Sequence, residues 1–214
     1  MKNILLIGGS TGIGYELSQK LKEDNKVFIS TRDQEKFNDQ NIITKELNLD
    51  QEFETDWLPE QIDGFVYLPG TINLRPFKGL KPSVFLEDFN INVMGCVKIL
   101  QKVLSKIQAS ENPSIVMFST VAVKLGMPFH SSVSSSKGAI EGLTRSLAAE
   151  FAPKIRVNCV APSILETPMA EKFLNSETKL DNARNRHPLK EIGSPKDISE
   201  VVKFLLEDNS KWMT

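Results

Sequence analysis

Short unbroken apolar runs alternate along the chain with segments in which apolar residues recur every three or four positions. The unbroken runs are typical of strands buried on both faces of a parallel sheet, and the spaced pattern is typical of helices. The strands predicted in this way cover residues 4–7, 27–30, 41–49, 65–68, 114–119 and 155–160. Strands that alternate with helices in this order predict an α/β fold, a doubly wound parallel sheet with helices on both faces.

The predicted helices are recognised by apolar stripes, one stripe to each helix. The stripes are Ile13, Leu17 and Leu21 in the first helix; Val93, Val97, Leu100 and Leu104 in a helix over 84–107; Ile140, Leu143, Leu147 and Phe151 in a helix over 133–151; and Ile198, Val201, Val202 and Leu205 in the last. An acidic segment with Phe53 and Trp57, closed by Pro59, predicts a further helical region between the third and fourth strands.

The junction of the first strand and the first helix carries Gly8, Gly12 and Gly14 in a G-x-x-x-G-x-G spacing. Glycines let the backbone turn sharply and approach a ligand closely, and the helix start offers unpaired N–H groups and a partial positive charge. A tight turn without a ligand is the alternative. The position directly after a strand and before a helix favours a site for the pyrophosphate of a dinucleotide.

The second predicted strand ends at Thr31, Arg32 and Asp33. In dinucleotide folds an acid at this place bonds the ribose 2′-hydroxyl, whereas a nearby arginine accommodates a 2′-phosphate. Arg32 therefore favours NADP. Two alternatives remain: Arg32 lies in solvent and pairs with Asp33 or Glu35, or Asp33 supplies the acid that NAD requires.

Residues 163–190 interrupt the alternation of strands and helices with a long polar segment. An excursion after the carboxyl end of a strand is the usual place for a lid over a ligand, and an ordinary helical insertion is the alternative. We expect residues 1–214 to form one domain, with this segment as its substrate lid.

Composition excludes several classes of protein. The net charge is −1 over 214 residues, which predicts no bulk attraction to nucleic acid or membranes. No apolar run approaches the ~20 residues that span a bilayer, and a strand at the N-terminus leaves no room for a signal peptide. Cys96 and Cys159 have no metal-ligand spacing, so we expect free thiols, no structural metal and a cytoplasmic location.

The sequence resembles the short-chain dehydrogenase/reductase family along nearly its whole length. The resemblance is carried by LLIGGSTGIG at the glycine turn, NVMG around Asn92, IVMFSTVA at the fifth strand, SSSKGAIEGL and the chain that follows it to ILETPM, and HPLKEIGSPKDISEVVKFLL. It implies a Rossmann-like fold of three layers, an NADP(H)- or NAD(H)-dependent oxidoreductase with a small-molecule substrate, and a homodimer or homotetramer through the helix of Lys137. Gly138 and Gly142 on that helix permit a close neighbour. The family continues beyond the position of Thr214 into a last strand.

The resemblance assigns the site residue by residue. Lys137 matches the lysine that binds the nicotinamide ribose, Asn92 the helix residue that holds a water beside it, and Thr120 the serine that ends the fifth strand. Thr167 matches the threonine that contacts the carboxamide. The full set predicted to bind the cofactor is Gly8, Ser10, Thr11, Gly12, Ile13, Gly14, Arg32, Asn48, Leu49, Gly70, Lys137, Pro162 and Thr167.

The sequence departs from the family at the tyrosine four residues before the lysine. This position is Val133, so the phenol whose pKa the lysine lowers is missing. Ser163 replaces a glycine, and Tyr67-Leu68-Pro69-Gly70 keeps only the glycine of the family's N-N-A-G segment. Tyr15 and Tyr67 are the remaining tyrosines, and we expect both to serve packing or the cofactor shelf.

His130 is a candidate proton donor. It lies seven residues before Lys137, where the enoyl-thioester reductase branch of the family has its tyrosine, and imidazole exchanges protons near neutral pH. The alternative is a loop histidine that bonds to the backbone.

Two functions follow from the sequence. One is an oxidoreductase that moves hydride to or from a small carbonyl or conjugated enoyl substrate, with Lys137, Thr120, Asn92 and His130 as its catalytic residues. The other is a dinucleotide-binding protein with little or no turnover that acts as a sensor or structural partner, because binding does not require the missing acid.

Overall fold

The central sheet positions every candidate site residue. The structure is a computed structural model that describes residues 1–214. Six parallel strands form the sheet in the order β3-β2-β1-β4-β5-β6. They are β1 (Asn3–Ile7), β2 (Lys26–Thr31), β3 (Ile42–Glu46), β4 (Gly64–Tyr67), β5 (Ser114–Phe118) and β6 (Arg156–Val160). The strand order reverses between β1 and β4, which is where ligands bind in such sheets.

Eight helices complete the fold. They are α1 (Gly12–Leu21), α2 (Pro82–Phe89), α3 (Gly95–Gln108), α4 (Ala122–Leu125), α5 (Ser131–Phe151), α6 (Glu171–Leu174), α7 (Glu177–Asn185) and α8 (Pro195–Leu206). Side chains from α3 and α5 form one apolar cluster on the sheet, and those from α1 and α8 form a second cluster on the other face. Helices therefore cover both faces, and the predicted three-layer α/β fold is confirmed. No helix is long and apolar enough to cross a bilayer.

The helix predicted around Phe53 and Trp57 was wrong, because residues 47–63 contain no helix. The two rings instead dock on the first cluster, with Trp57 also 6.1 Å from the ring of Phe28. Glu54 pairs with Lys45 at 2.8 Å on the neighbouring strand. Tertiary aromatic packing and ion pairs thus hold this segment without a helical backbone.

The helix predicted over 84–107 is interrupted by a π-helical turn, Asn90–Met94, between α2 and α3. The predicted stripe was only partly correct, because the buried face of α3 lies to one side of it. Val97 and Leu104 are half-buried, and Cys96, Ile99, Val103 and Ile107 fill the core instead.

Two smaller predictions also need correction. The third strand ends at Glu46, so Asn48 and Leu49 lie in the loop that follows it. Val201 is exposed, whereas its neighbours Val202 and Leu205 are buried. At the other edge of the sheet, Met213 and Thr214 accept hydrogen bonds from residues of β6.

Candidate active site

The predicted site residues gather at the carboxyl edge of the sheet, because all six strands are parallel and each residue follows the end of its strand. The positions concerned are Gly8 to Gly14 after β1, Arg32 after β2, Asn48 and Leu49 after β3, Gly70 after β4, Thr120 after β5, and Pro162 with Thr167 after β6. Lys137 reaches this edge from α5, and Asn92 reaches it from the π turn.

The glycine turn after β1 has the backbone that the sequence predicts. Gly8 and Gly12 adopt φ values of +73° and +54°, which favour glycine. A Cβ on Gly14 would lie 2.6 Å from the Cα of Gly9, so this glycine allows the helix to approach the strand. Thr11 makes no side-chain bond to the first turn of α1, which leaves the N–H groups of that turn free for an anion.

Lys137 and Asn92 meet beside Gly70. A Cβ on Gly70 would lie 3.2 Å from Asn92 Oδ1 and 3.5 Å from Lys137 Nζ, so both polar atoms border the space that this glycine leaves open. Asn92 is fully buried and its Oδ1 has no hydrogen-bond partner. A free acceptor beside an ammonium fits a ligand hydroxyl, as on a ribose.

Burial controls the charge of Lys137. It lowers the pKa of this ammonium from 10.5 to about 8, and no carboxylate is close enough to raise it. The nearby titratable groups are the thiols of Cys96 on α3 and Cys159 on β6, both free. Burial raises the pKa of Cys96 to about 12 and raises that of Cys159, so both are neutral at pH 7. The ammonium therefore remains without an anionic partner.

Asp88, which the sequence analysis missed, holds the other end of Asn92 through its backbone carbonyl and, by way of Thr71, through its carboxylate. Asp88 on α2 is fully buried and accepts hydrogen bonds from Thr71, Asn73 and Ser132. Asn92 Nδ2 donates to Thr71 Oγ1 at 2.9 Å and to the Asp88 carbonyl at 2.7 Å. Both amide protons are thus used, which leaves Oδ1 to face Gly70 and Lys137. Asp88, four residues before Asn92 on an otherwise amphipathic helix, was the available signal.

Arg32 and Asp33, the charged residues that follow β2, do not pair with each other. Arg32 is exposed, and neither Asp33 nor Glu35 pairs with it. Asp33 instead pairs with Lys36 at 3.2 Å. Lys36 Nζ also donates to the carbonyl of Ser10 in the glycine turn at 3.3 Å, and this contact was not anticipated. Two cations therefore lie on this side of the site.

Asn48 and Leu49 line a pocket of about 190 Å³ beside the start of α3, together with Gly95 and Lys98. Thr167 reaches the glycine turn from the other side of the site, because a Cβ on Gly12 would lie 3.3 Å from its methyl group. Pro162 links the ends of β5 and β6, since its carbonyl accepts a hydrogen bond from Val121 N at 3.2 Å.

His130 lies at the start of α5 and borders a pocket of about 300 Å³. Its Nδ1 lies 2.7 Å from the Pro128 carbonyl and therefore carries a proton and donates it. The second ring nitrogen, Nε2, remains available to a ligand. The hydroxyl groups of Ser131 and Ser134 in the same pocket are buried without partners. Neither Lys137 nor Thr120 lines this pocket, so the structure does not join His130 to them.

The segment 163–190 contains α6 and α7, and polar contacts hold it together and join it to the loop after β4. His187 Nε2 lies 2.7 Å from Ser163 Oγ, and its Nδ1 lies 2.9 Å from the Ala183 carbonyl. Lys172 Nζ donates to the Ile72 carbonyl at 3.3 Å, which joins α6 to the loop after β4.

Comparisons with known proteins identify this arrangement. A family model described as Enoyl-(Acyl carrier protein) reductase matches residues 8–214. The chain belongs to the short-chain dehydrogenase/reductase family. It is similar to the 3-oxoacyl-[acyl-carrier-protein] reductase FabG of Thermotoga maritima, with 36% identity over 126 residues, 58% of this chain and 50% of that protein. The match therefore spans half the length of this relative.

Longer matches support the same family. Dehydrogenase/reductase SDR family member 4 of Homo sapiens is 26% identical over 233 residues, covering 100% of this chain and 84% of that protein. A solved structure of a short chain dehydrogenase family protein from Francisella tularensis has a TM-score of 0.89 at 26% identity, over 100% of this chain and 94% of that one. ElxO with NADP bound has a TM-score of 0.90 at 27% identity, covering 100% and 95%.

At the position that the resemblance assigns to the family's active-site tyrosine, this chain has a buried aliphatic side chain. Val133 is 6% exposed and carries no proton to exchange. Thr120 keeps a hydroxyl at the serine position, where it accepts a hydrogen bond from Ala122 N at 3.3 Å. Tyr15 packs on Phe37 with ring centroids 6.0 Å apart, and Tyr67 is buried against the π turn. Both tyrosines thus pack, as the sequence analysis expected.

Proposed function

We propose that this short-chain dehydrogenase/reductase is an NADP(H)-dependent oxidoreductase that transfers hydride to or from a small carbonyl or conjugated enoyl substrate. The observation that carries the proposal is that the Lys137 ammonium and the free Asn92 Oδ1 both border Gly70, next to the glycine turn. Burying an unpaired charge and an unpaired acceptor is costly, and a ligand hydroxyl satisfies both.

The residues fit a nicotinamide dinucleotide. The turn at Gly8 and Gly12 and the first N–H groups of α1 would hold the pyrophosphate, and Lys137 with Asn92 would hold the ribose. Nicotinamide supplies the hydride chemistry, and the protein supplies binding, orientation and electrostatics.

NADP is the preferred form of the cofactor in this proposal. Arg32 is unpaired, and Asp33 is engaged with Lys36, so a cation and not an acid is free to meet the adenosine ribose. Lys36 lies beside the glycine turn and adds a second positive charge there. The NADP-bound structure of ElxO, a protein similar over the whole chain, supports this choice.

The chemistry at the substrate must work without a phenol. Thr120 would orient the reacting oxygen. His130 does not share a pocket with Lys137 or Thr120, so its Nε2 would pass a proton only to a substrate that also enters the pocket at the start of α5. Reduction of a conjugated C=C places the developing charge on a thioester oxygen or on carbon, so a weaker acid suffices than for a carbonyl. The description of the matching family model, an enoyl reductase, favours the enoyl substrate.

The test is to follow NADPH absorbance with purified protein and a panel of ketones, enals and enoyl thioesters. Oxidation of NADPH by one class, lost in Lys137→Met, supports the proposal. Clear NADPH binding with no turnover by any class removes the enzymatic part. If turnover is found, an unchanged rate in His130→Ala removes His130 from the mechanism.

The second candidate function is a dinucleotide-binding protein with little or no turnover. The buried side chain of Val133 at the tyrosine position favours it, because binding requires Lys137 and the glycine turn but not the acid. Binding without turnover in the panel above is its expected result.

The lid and the assembly complete the proposal. Segment 163–190 would close over the substrate, since Lys172 joins it to the loop after β4 and His187 holds the end of α7 at Ser163, where the segment begins after β6. Leu86 and Phe89 on α2 are 66% and 40% exposed, and Gly142 on α5 faces open space, which suits a homodimer or homotetramer. The free thiols of Cys96 and Cys159 suit the cytoplasm.

A further inference from the structure

The π turn leaves one backbone carbonyl without its helical donor. The N–H of Gly95 donates to the carbonyl of Asn90, five residues back, instead of to Ile91 as it would in an α-helix. The Ile91 carbonyl therefore needs another donor, because a buried carbonyl without one is costly.

Tyr67 supplies that donor from the end of β4. Its hydroxyl donates to the Ile91 carbonyl at 2.6 Å, and the side chain is 3% exposed. Burial raises the pKa of Tyr67 far above its ordinary value. The hydroxyl therefore keeps its proton at neutral pH and can donate it in a hydrogen bond.

Gly95 is the counterpart that admits the phenol. A Cβ at this position would lie 2.3 Å from the Tyr67 hydroxyl oxygen, which is too close for two atoms that are not bonded. The same Cβ would lie 3.4 Å from the ring carbon that bears the hydroxyl, an ordinary contact distance. The conflict is therefore with the hydroxyl alone.

The register of this turn decides where Asn92 points. Removing the extra residue of the turn would rotate the helix after the turn by about 100° relative to the helix before it. Asn92 would then leave Thr71 and the Asp88 carbonyl, and its Oδ1 would no longer border Gly70 and Lys137.

We propose that Tyr67 is a positioning residue: its hydroxyl replaces the missing donor of the π turn and so holds Asn92 beside Lys137, with Gly95 as the small residue this requires. The consequence for the cofactor rests on the proposed function, whereas the contact with the turn belongs to the free protein.

The first test is the stability of the free protein in Gly95→Ala, Tyr67→Phe and the double variant. Gly95→Ala should lower the melting temperature by more than about 4 °C. Tyr67→Phe should lower it alone but raise it in the Gly95→Ala background, because it removes the clashing oxygen. If Gly95→Ala does not fold, recovery of folded protein in the double variant is the same result. Losses that simply add would overturn the proposal.

Gly79→Ala is the matched control. This glycine lies in the 3₁₀ turn Phe77–Gly79, and a Cβ there meets nothing within 4 Å. We expect an unchanged melting temperature, since the added methyl group would contact no other atom.

The second test measures NADPH affinity in Tyr67→Phe, Asn92→Ala and the double variant. Tyr67→Phe should weaken binding about five-fold in the wild-type background and cause no further loss once Asn92 is alanine. The same factor in both backgrounds would mean a general structural effect and would contradict the proposal.

A wild-type protein that binds neither NADPH nor NADH would remove the proposed function but not this inference. The coupling between Tyr67 and Asn92 is then measured from the free energies of unfolding, without cofactor, of wild type, Tyr67→Phe, Asn92→Ala and the double variant. Stability losses of Tyr67→Phe and Asn92→Ala that fall short of their sum support the link between the two residues. Strict additivity overturns it.

Discussion

At the scale of single residues, the site depends on one ammonium. Lys137 is buried without a carboxylate partner, between two neutral thiols and a free amide oxygen. Its charge therefore destabilises the fold and is available to a ligand. A buried charge without a partner in the protein is typical of a functional site.

This cost of burial predicts a pH dependence of stability. In the folded protein the pKa of Lys137 falls to about 8 from 10.5, so the unfolded chain binds more protons between these two values. Stability should therefore rise as pH increases from about 8 to about 10.5, by as much as roughly 3 kcal/mol from this group. Urea unfolding of wild type and Lys137→Met measures the difference. Parallel pH curves for the two proteins would contradict the assignment.

The preference for NADP is also decided by single residues. Arg32→Ala should weaken NADPH binding about ten-fold, because it removes an unpaired cation near the 2′-phosphate, and should leave NADH binding unchanged. Lys22→Ala is the control for net charge, since Lys22 pairs with Asp39 away from the site. Titrations of both cofactors decide it: equal affinities of the wild type for NADH and NADPH would refute the 2′-phosphate site.

At the scale of helices and strands, the sequence predicted the elements that depend on neighbouring residues and missed those that depend on contacts with distant ones. Apolar runs predicted the four central strands β1, β2, β4 and β5 because a central parallel strand is buried on both faces, and Ile13, Leu17 and Leu21 predicted α1 correctly. The segment around Trp57 was mispredicted because its aromatic rings bind to distant residues. The π turn adds a residue without a signature in composition, and Asp88 finds its partners on two distant segments, the loop after β4 and α5.

The lid segment offers a prediction at the same scale. Ser163, which replaces the family's glycine, holds His187 and thereby the end of α7. Ser163→Gly should increase amide hydrogen exchange in α7 about five-fold, as expected for the loss of one hydrogen bond of about 1 kcal/mol, and should leave α5 unchanged. Ser163→Thr keeps the hydroxyl and should exchange like the wild type. Equal exchange in Ser163→Gly would show that this contact does not hold the lid.

At the scale of the whole molecule, the fold was predictable and the assembly is a proposal. Leu86 is two-thirds exposed on α2, and a second copy would cover it. We expect a dimer or tetramer by size exclusion with light scattering, and Leu86→Lys should shift it towards monomer, because a buried lysine is unfavourable at an interface. Leu189→Lys, at an even more exposed position in segment 163–190, is the control. A monomeric wild type would refute the assembly.

The central claim is that the glycine turn and Lys137 together bind a nicotinamide dinucleotide. Calorimetric titration of NADPH at pH 7 into wild type and Lys137→Met tests it most directly. We predict saturable one-site binding by the wild type and affinity lower by about 10- to 100-fold in Lys137→Met, the loss of a charged hydrogen bond. No binding by the wild type, or equal affinity in a folded Lys137→Met protein, would contradict the account.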